Sequence, residues 1–132
     1  MIKFTVPVPP VAKARPRVTV RGGFARAYTP KKTAQFEQIV ADCCPLHPPI
    51  STPCHLTVTF HLPIPKSWSK AKQKAAQDGE LAPVTRPDID NYIKSVMDAL
   101  NGVAYEDDSQ VVTVTAAKLY SVDPRVEIKI DG

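Results

Sequence analysis

Leu56, Val58, Phe60 and Leu62 alternate with Thr57, Thr59 and His61. Alternation of this kind is the period of a β-strand with one buried face and one open face. Ile2, Phe4, Val6 and Val8 repeat it near the N-terminus, and residues 111–120 with Val126, Ile128 and Ile130 repeat it at the C-terminus. The strands alternate rather than run fully apolar, so a sheet built from them is expected to carry its cover largely on one face. His61 falls on the polar side and reads as a surface histidine.

Two helical stripes supply that cover. Phe36, Ile39, Val40 and Cys43 form one, opened by Thr29 as N-cap and Pro30 at the first helical position. The prolines from Pro45 to Pro53 end it. Ile89, Ile93, Val96, Met97 and Leu100 form the second, with Gly102 as its stop. A short basic helix is expected over Ser69–Gln77, stopped by Gly79, and residues 78–87 read as a loop. Residues 16–28 read as a hairpin turning at Gly22-Gly23. The order is β-β-β-α-β-α-α-β-β. It implies an α/β chain of the α+β type: a single domain over 1–132, with a mixed sheet and helices largely on one face.

At 132 residues the chain has room for one core. No apolar run approaches the roughly 20 residues that span a bilayer, and the first residues lack a signal-peptide core, so a soluble, cytoplasmic protein is expected. Cys43, Cys44 and Cys54 are too few and odd in number for a disulfide framework. His47, His55 and His61 lie near them, but the spacings do not match a structural zinc site, and the thiols read as inert.

Charge is segregated. Residues 1–36 carry Lys3, Lys13, Arg15, Arg17, Arg21, Arg26, Lys31 and Lys32 and no acid. Lys66, Lys70, Lys72 and Lys74 follow. Between 88 and 108 the sign flips to Asp88, Asp90, Asp98, Glu106, Asp107 and Asp108, against Lys94 alone. Cations that hold phosphates around carboxylates that hold a metal are what an enzyme acting on a polyanion needs.

Asp88 and Asp90 sit where a loop enters the second striped helix, and Lys94 lies one turn after Asp90. A structural account is available: helix-end aspartates act as caps, and Lys94 pairs with Asp90 or Asp98. The acids at 106–108 argue for more. A short connection could return one of Asp107 or Asp108 towards the start of the helix, where three carboxylates and a lysine would serve phosphodiester hydrolysis: hard oxygen ligands, water activation and a cation for the charged transition state.

Asp88-Ile89-Asp90-Asn91-Tyr92-Ile93-Lys94 through Asp98-Ala99-Leu100, then Asp107-Asp108-Ser109-Gln110-Val111, resembles the signature of the RusA family of Holliday-junction resolvases, D-x-D-N-x-x-K-x-x-x-D-A-L and D-D-[AS]-Q-V. The basic segments Val11–Arg17 and Ala27–Lys31, and Pro65-Lys66-Ser67-Trp68-Ser69, are similar to stretches of family members. The resemblance covers nearly the whole chain. It implies a homodimeric, Mg²⁺-dependent endodeoxyribonuclease, with Mn²⁺ substituting and no small-molecule cofactor. Such an enzyme nicks four-way DNA junctions symmetrically in recombination and repair.

By position, Asp88, Asp90 and Asp108 match the metal-binding carboxylates, Lys94 the catalytic lysine and Asp107 the accompanying acid. Only Arg86 precedes Pro87, where some members carry a basic run. DNA grip is therefore expected from Lys13, Arg15, Arg17, Arg21, Arg26, Lys31, Lys32, Lys70, Lys74 and Arg86. Phe24 and Trp68 are candidates for an inserted wedge, against a packed role for Trp68. A non-catalytic DNA-binding module, or a nuclease acting on flaps or forks, remains the alternative at this point.

Overall fold

A computed structural model describes residues 1–13, 17–21, 24–28, 30–45 and 48–132, with the backbone alone described for 17–21 and 24–28. The elements run β1 (Ile2–Val6), β2 (Arg17–Arg21), β3 (Phe24–Tyr28), α1 (Lys31–Cys43), β4 (Cys54–Pro63), α2 (Lys70–Gln77), α3 (Ile89–Leu100), β5 (Val111–Ser121) and β6 (Arg125–Asp131), with one 3₁₀ turn at Asp108–Gln110 before β5. This is the order expected from the periodicity.

Four strands form a mixed sheet in the order β1-β6-β4-β5. β4 and β5 are parallel, Cys54 opposite Val111 and Phe60 opposite Lys118, while β6 runs antiparallel to both β1 and β4. β2 and β3 form a separate antiparallel ribbon with Arg21 opposite Phe24. The proposed Gly22-Gly23 turn and the Thr29 cap lie outside the described residues.

Alternation does what it implies. Leu56, Val58 and Phe60 of β4, Val6 of β1 and Val126, Ile128 and Ile130 of β6 are buried against Phe36 and Val40 of α1 and Val96 and Leu100 of α3. Tyr92 of α3 packs on Phe60 with ring centroids 5.3 Å apart. The chain is a single compact α+β domain. No helix among the described residues is long and apolar enough to cross a membrane.

Helix ends follow local chemistry, with one correction. Ser69 caps α2 by accepting from the Lys72 N–H at 3.2 Å. Gly102, with φ of 75°, takes the left-handed conformation that lets the chain leave α3. Pro30, however, is the cap residue of α1 rather than its first helical residue: helical bonding starts with Ala34 N–H to Pro30 C=O. Proline's fixed φ suits either place.

His61 also departs from expectation, for it is buried. It sits on the central strand between Leu119 of β5 and Arg125 of β6 in the sheet register. Its Nε2 lies 3.4 Å from Glu127, which Arg125 also holds at 2.9 Å. Burial pushes the Glu127 carboxyl up, but Arg125 and His61 outweigh this and hold it below its ordinary range. Cys54 is buried, Cys43 and Cys44 are half-buried, and none forms a disulfide.

Lys13 has a structural task. Its ammonium lies 2.7 Å from Glu37 of α1 and 3.1 Å from Asp98 of α3, largely out of solvent. A cation held by two carboxylates is not a free phosphate contact, so Lys13 ties the N-terminal segment to both helices instead of gripping DNA. The same segment is pinned to α3 by the Lys13 N–H to Asn91 C=O and by Ser95 Oγ to Val11 C=O, 2.8 and 2.7 Å.

Burial pushes the Lys13 pKa down, but Glu37 and Asp98 outweigh it and the net shift is upward. A raised pKa means that the stabilisation is complete below lysine's ordinary value and is lost as pH rises through the raised one. Lys13→Ala should therefore lower unfolding free energy at pH 7 by about 1–3 kcal/mol. The wild-type advantage should fade only in strongly alkaline solution, as urea unfolding at several pH values will show.

Candidate active site

The loop into α3 is held from below by β5. Lys118 Nζ donates to the Thr85 and Pro87 carbonyls at 3.1 and 3.2 Å. Its side chain stands on the helix-facing side of β5, in register with Phe60. A lysine among Val112, Val114, Ala116 and Tyr120 on that side was the signal that sequence reasoning passed over. The tether fixes where Arg86, Pro87 and Asp88 enter the helix, and the Arg86–Pro87 bond is cis.

Asp88 occupies the N-cap position of α3 with extended backbone, yet its carboxylate makes no capping bond. Asp90 follows in the first turn. Asp88, Asp90 and Lys94 are all exposed, and none of them has a side-chain hydrogen bond or ion pair among the described residues. The structural account of these residues is therefore not realised. Neither aspartate caps through its side chain, Lys94 pairs with neither acid, and Asp98 is taken by Lys13.

The acids at 106–108 do different things. Asp107 accepts from the Ser109 N–H at 3.2 Å and from the Ser109 hydroxyl, and in return the Asp107 N–H donates to Gln110 Oε1 at 2.8 Å. This is a capping box, and it holds the Asp107 carboxyl below the ordinary aspartate range through the Ser109 hydroxyl first and the Ser109 N–H second. The Gln110 amide then bonds the Ile50 and Thr52 carbonyls at 2.8 and 2.9 Å, fastening the turn to the entrance of β4. Asp108, half-buried, has no side-chain partner among the described residues. Of the pair, Asp108 is the carboxylate available to a ligand.

Asp108 does not, however, return to the start of α3. The chain leaves α3 through a tight turn in which the Tyr105 hydroxyl donates to the Met97 carbonyl at 2.8 Å. Burial, and next the Asp108 charge, push the Tyr105 phenol well above its usual range. Asp88 lies by Lys118, whereas Asp108 lies just before Val111, and seven strand residues correspond to about 23 Å. The expected convergence fails because the acids precede β5 and so remain at the C-terminal end of α3. Among the described residues, no three His, Cys, Asp or Glu side chains are gathered so as to hold a metal ion.

The predicted cations divide similarly. Lys31 and Lys32 are exposed in the first turn of α1, Lys70 and Lys74 on α2, and Arg86 beside Asp88. Arg15 and the side chains of Arg17, Arg21 and Arg26 lie outside the described residues; in the ribbon register, positions 17, 21 and 26 share one face. Trp68 is a packed anchor: its ring meets Tyr120 edge-on at 5.3 Å, and Lys72 Nζ sits 4.1 Å above it. Phe24 is likewise undescribed beyond its backbone.

A basic α+β domain that displays unpaired carboxylates and a lysine at one helix end has the make-up of a phosphodiester-handling protein. The family model described as Endodeoxyribonuclease RusA matches residues 7–131, and the chain belongs to that family. It is also 46% identical over 134 residues to a protein of Bacillus subtilis (strain 168) named "Uncharacterized protein YqaN", covering 98% of this chain and 94% of that one. Membership makes the chain an endonuclease of the Holliday-junction-resolving type, whose members are generally divalent-metal dependent.

Asp107→Ala should lower the melting temperature, and the gap from wild type should close as pH falls through the depressed Asp107 pKa, since that stabilisation exists only above it. Asp108→Asn should leave melting unchanged. Thermal scans of both variants between pH 2 and 7 test the division of labour.

Proposed function

We propose that the chain is a Mg²⁺-dependent, homodimeric endonuclease that resolves four-way DNA junctions, with Asp88, Asp90 and Asp108 as metal ligands and Lys94 as the catalytic cation. The observation that carries this reading is the unpaired state of Asp88, Asp90 and Lys94, side by side at a tethered helix start. Exposed groups kept out of available i,i+4 pairing are poorly explained by stability.

The donor set fits a hard divalent cation, being all carboxylate oxygen. A bound Mg²⁺ would supply Lewis-acid charge and an activated water. Asp88 and Asp90 would hold it from one side. Lys94, one helical turn on, would meet the negative charge that builds on the scissile phosphate. Asp107 would keep the 106–108 turn in shape for Asp108.

The separation of Asp108 from Asp88 and Asp90 bears on the dimer. β5 is an edge strand of eleven residues with no proline and one charge, and it exposes Val112, Val114 and Leu119 by 58, 40 and 46%. Long, unguarded edges invite strand pairing. Antiparallel pairing of β5 with β5 of a second copy would bring the start of one strand beside the end of the other. Asp108 of one protomer would then approach Asp88 and Asp90 of its partner. Two symmetric cuts also call for two symmetric sites.

On a mobile four-way junction, the protein should nick opposing strands in Mg²⁺ and leave linear duplex largely intact. Ca²⁺ should support binding with little cutting. Asp90→Asn should abolish cleavage and retain binding. Lys94→Ala should cost about 100-fold or more in rate, with little rescue by Lys94→Arg, whose planar fork replaces a point charge. Binding with no cleavage in any divalent cation would make the protein a DNA-binding module instead.

A further inference from the structure

We propose that Lys118 is a positioning residue for Asp88: from β5 it fixes the main chain that enters α3, and so holds the Asp88 carboxylate ready for a divalent cation. The proposal rests on the nuclease reading and adds to it a residue outside the metal-binding set, one that acts through the main chain rather than on the substrate.

An aspartate at a helix N-cap ordinarily has its carboxylate fixed by an N–H of the first turn. Asp88 stands at the N-cap of α3 without that bond. Its oxygens stay available to a cation, and its placement falls to the backbone. On the C-terminal side, the Asn91 N–H donates to the Asp88 carbonyl at 3.1 Å, and the Asn91 carbonyl accepts from the Lys13 N–H at 2.8 Å. On the N-terminal side, Lys118 Nζ donates to the Thr85 and Pro87 carbonyls at 3.1 and 3.2 Å. The Pro87 carbonyl belongs to the planar peptide that ends on the Asp88 nitrogen, so the ammonium sets the plane from which Asp88 departs.

Little else secures that approach. Residues 78–88 form no helix or strand, and Thr85, Arg86, Pro87 and Asp88 are all exposed, so burial does not hold them. Lys118 itself is costly where it stands. It is half-buried on the side of β5 that otherwise carries Val112, Val114, Ala116 and Tyr120, and no carboxylate pairs with it among the described residues. An apolar residue there would continue that side of the strand without desolvating a charge. What the lysine adds is the pair of bonds to the Asp88 loop.

β5 thereby governs both parts of the carboxylate set. Lys118 holds the Asp88 loop towards the end of the strand, and Gln110 fastens the Asp108 turn just before its start. In the proposed dimer, Asp88 of one protomer and Asp108 of its partner are both placed by the same pair of strands.

Lys118→Met keeps the aliphatic stem and removes both donors. Mn²⁺ binding to the DNA-free protein, followed by EPR, should weaken by about 10-fold or more, the usual cost of losing a group that orients a metal ligand. The Asn91 N–H should exchange faster with solvent, while the amides of Val96–Leu100 stay protected. Cleavage should fall at low Mg²⁺ and recover as Mg²⁺ is raised, a rescue not expected of Lys94→Ala. Lys118→Arg should restore Mn²⁺ affinity, because a guanidinium has donors for both carbonyls. That is the opposite of the pattern expected at position 94.

Wild-type Mn²⁺ affinity in Lys118→Met, or an equal loss in Lys118→Arg, would overturn the positioning role and leave the nuclease reading standing. Exchange accelerated through the whole of α3, with melting far below wild type, would make Lys118 a general fastener of the fold and overturn it as well. Failure of the nuclease reading shows separately, as wild-type protein that binds no Mn²⁺ and cuts no branched DNA, and it overturns this proposal with it.

Discussion

The parallel pairing of β4 with β5 is the constraint on which the rest of the structure depends. Parallel neighbours cannot be joined by a hairpin, so the chain must cross back over the sheet between them. Here α2 and α3 make that crossing, and α3 runs down the sheet while β4 and β5 run up. Asp88 and Asp90 are thereby delivered to the carboxyl end of the two strands, the end at which open α/β sheets place their ligands. The 106–108 turn is delivered to the other end. Lys118 reaches up from β5 to hold the start of the crossing helix, and Gln110 holds the turn that follows it.

Charge follows the same geometry. A cleft lined by Lys32, Thr33, Pro87 and Tyr92 brings the first turn of α1 up to the start of α3, and α2 is anchored near the end of β5 by Trp68 on Tyr120. Cations and the Asp88–Asp90 pair thus gather at one end of the sheet, with Asp108 at the other. Among the described residues, Lys13 is withdrawn from this surface and links the segment before β2 to both core helices. Without that link, the approach to Asp88 would have fewer fixed points.

Much of the fold was legible in the residues because it is written in periodicity. The stripe from Ile89 to Leu100 and the glycine after it defined α3 with its observed bounds, and alternation defined β4, β5 and β6. What was not legible depends on pairing across the sheet or between elements. His61 has the pattern of a surface residue, yet it is buried on the central strand β4, between Leu119 and Arg125 of the neighbouring strands. Lys13 sits in a basic stretch and is claimed by carboxylates 24 and 85 residues away. The choice between Asp107 and Asp108 was open because both are acids in one turn, and the capping box with Ser109 and Gln110 distinguishes them. The failed convergence of Asp108 has the same root: local spacing does not say which end of a crossing helix the chain returns from.

The central claim is that one active site draws Asp88 and Asp90 from one protomer and Asp108 from its partner. The most direct measurement mixes two inactive proteins, Asp90→Asn and Asp108→Asn, under conditions that let subunits exchange, and assays junction cleavage in Mg²⁺. In a mixed dimer with shared sites, one site carries both lesions and the other carries none, so cleavage should return as single nicks without paired cuts. If each site lies within one protomer, both remain damaged, and a mixture as inactive as its components would contradict the account.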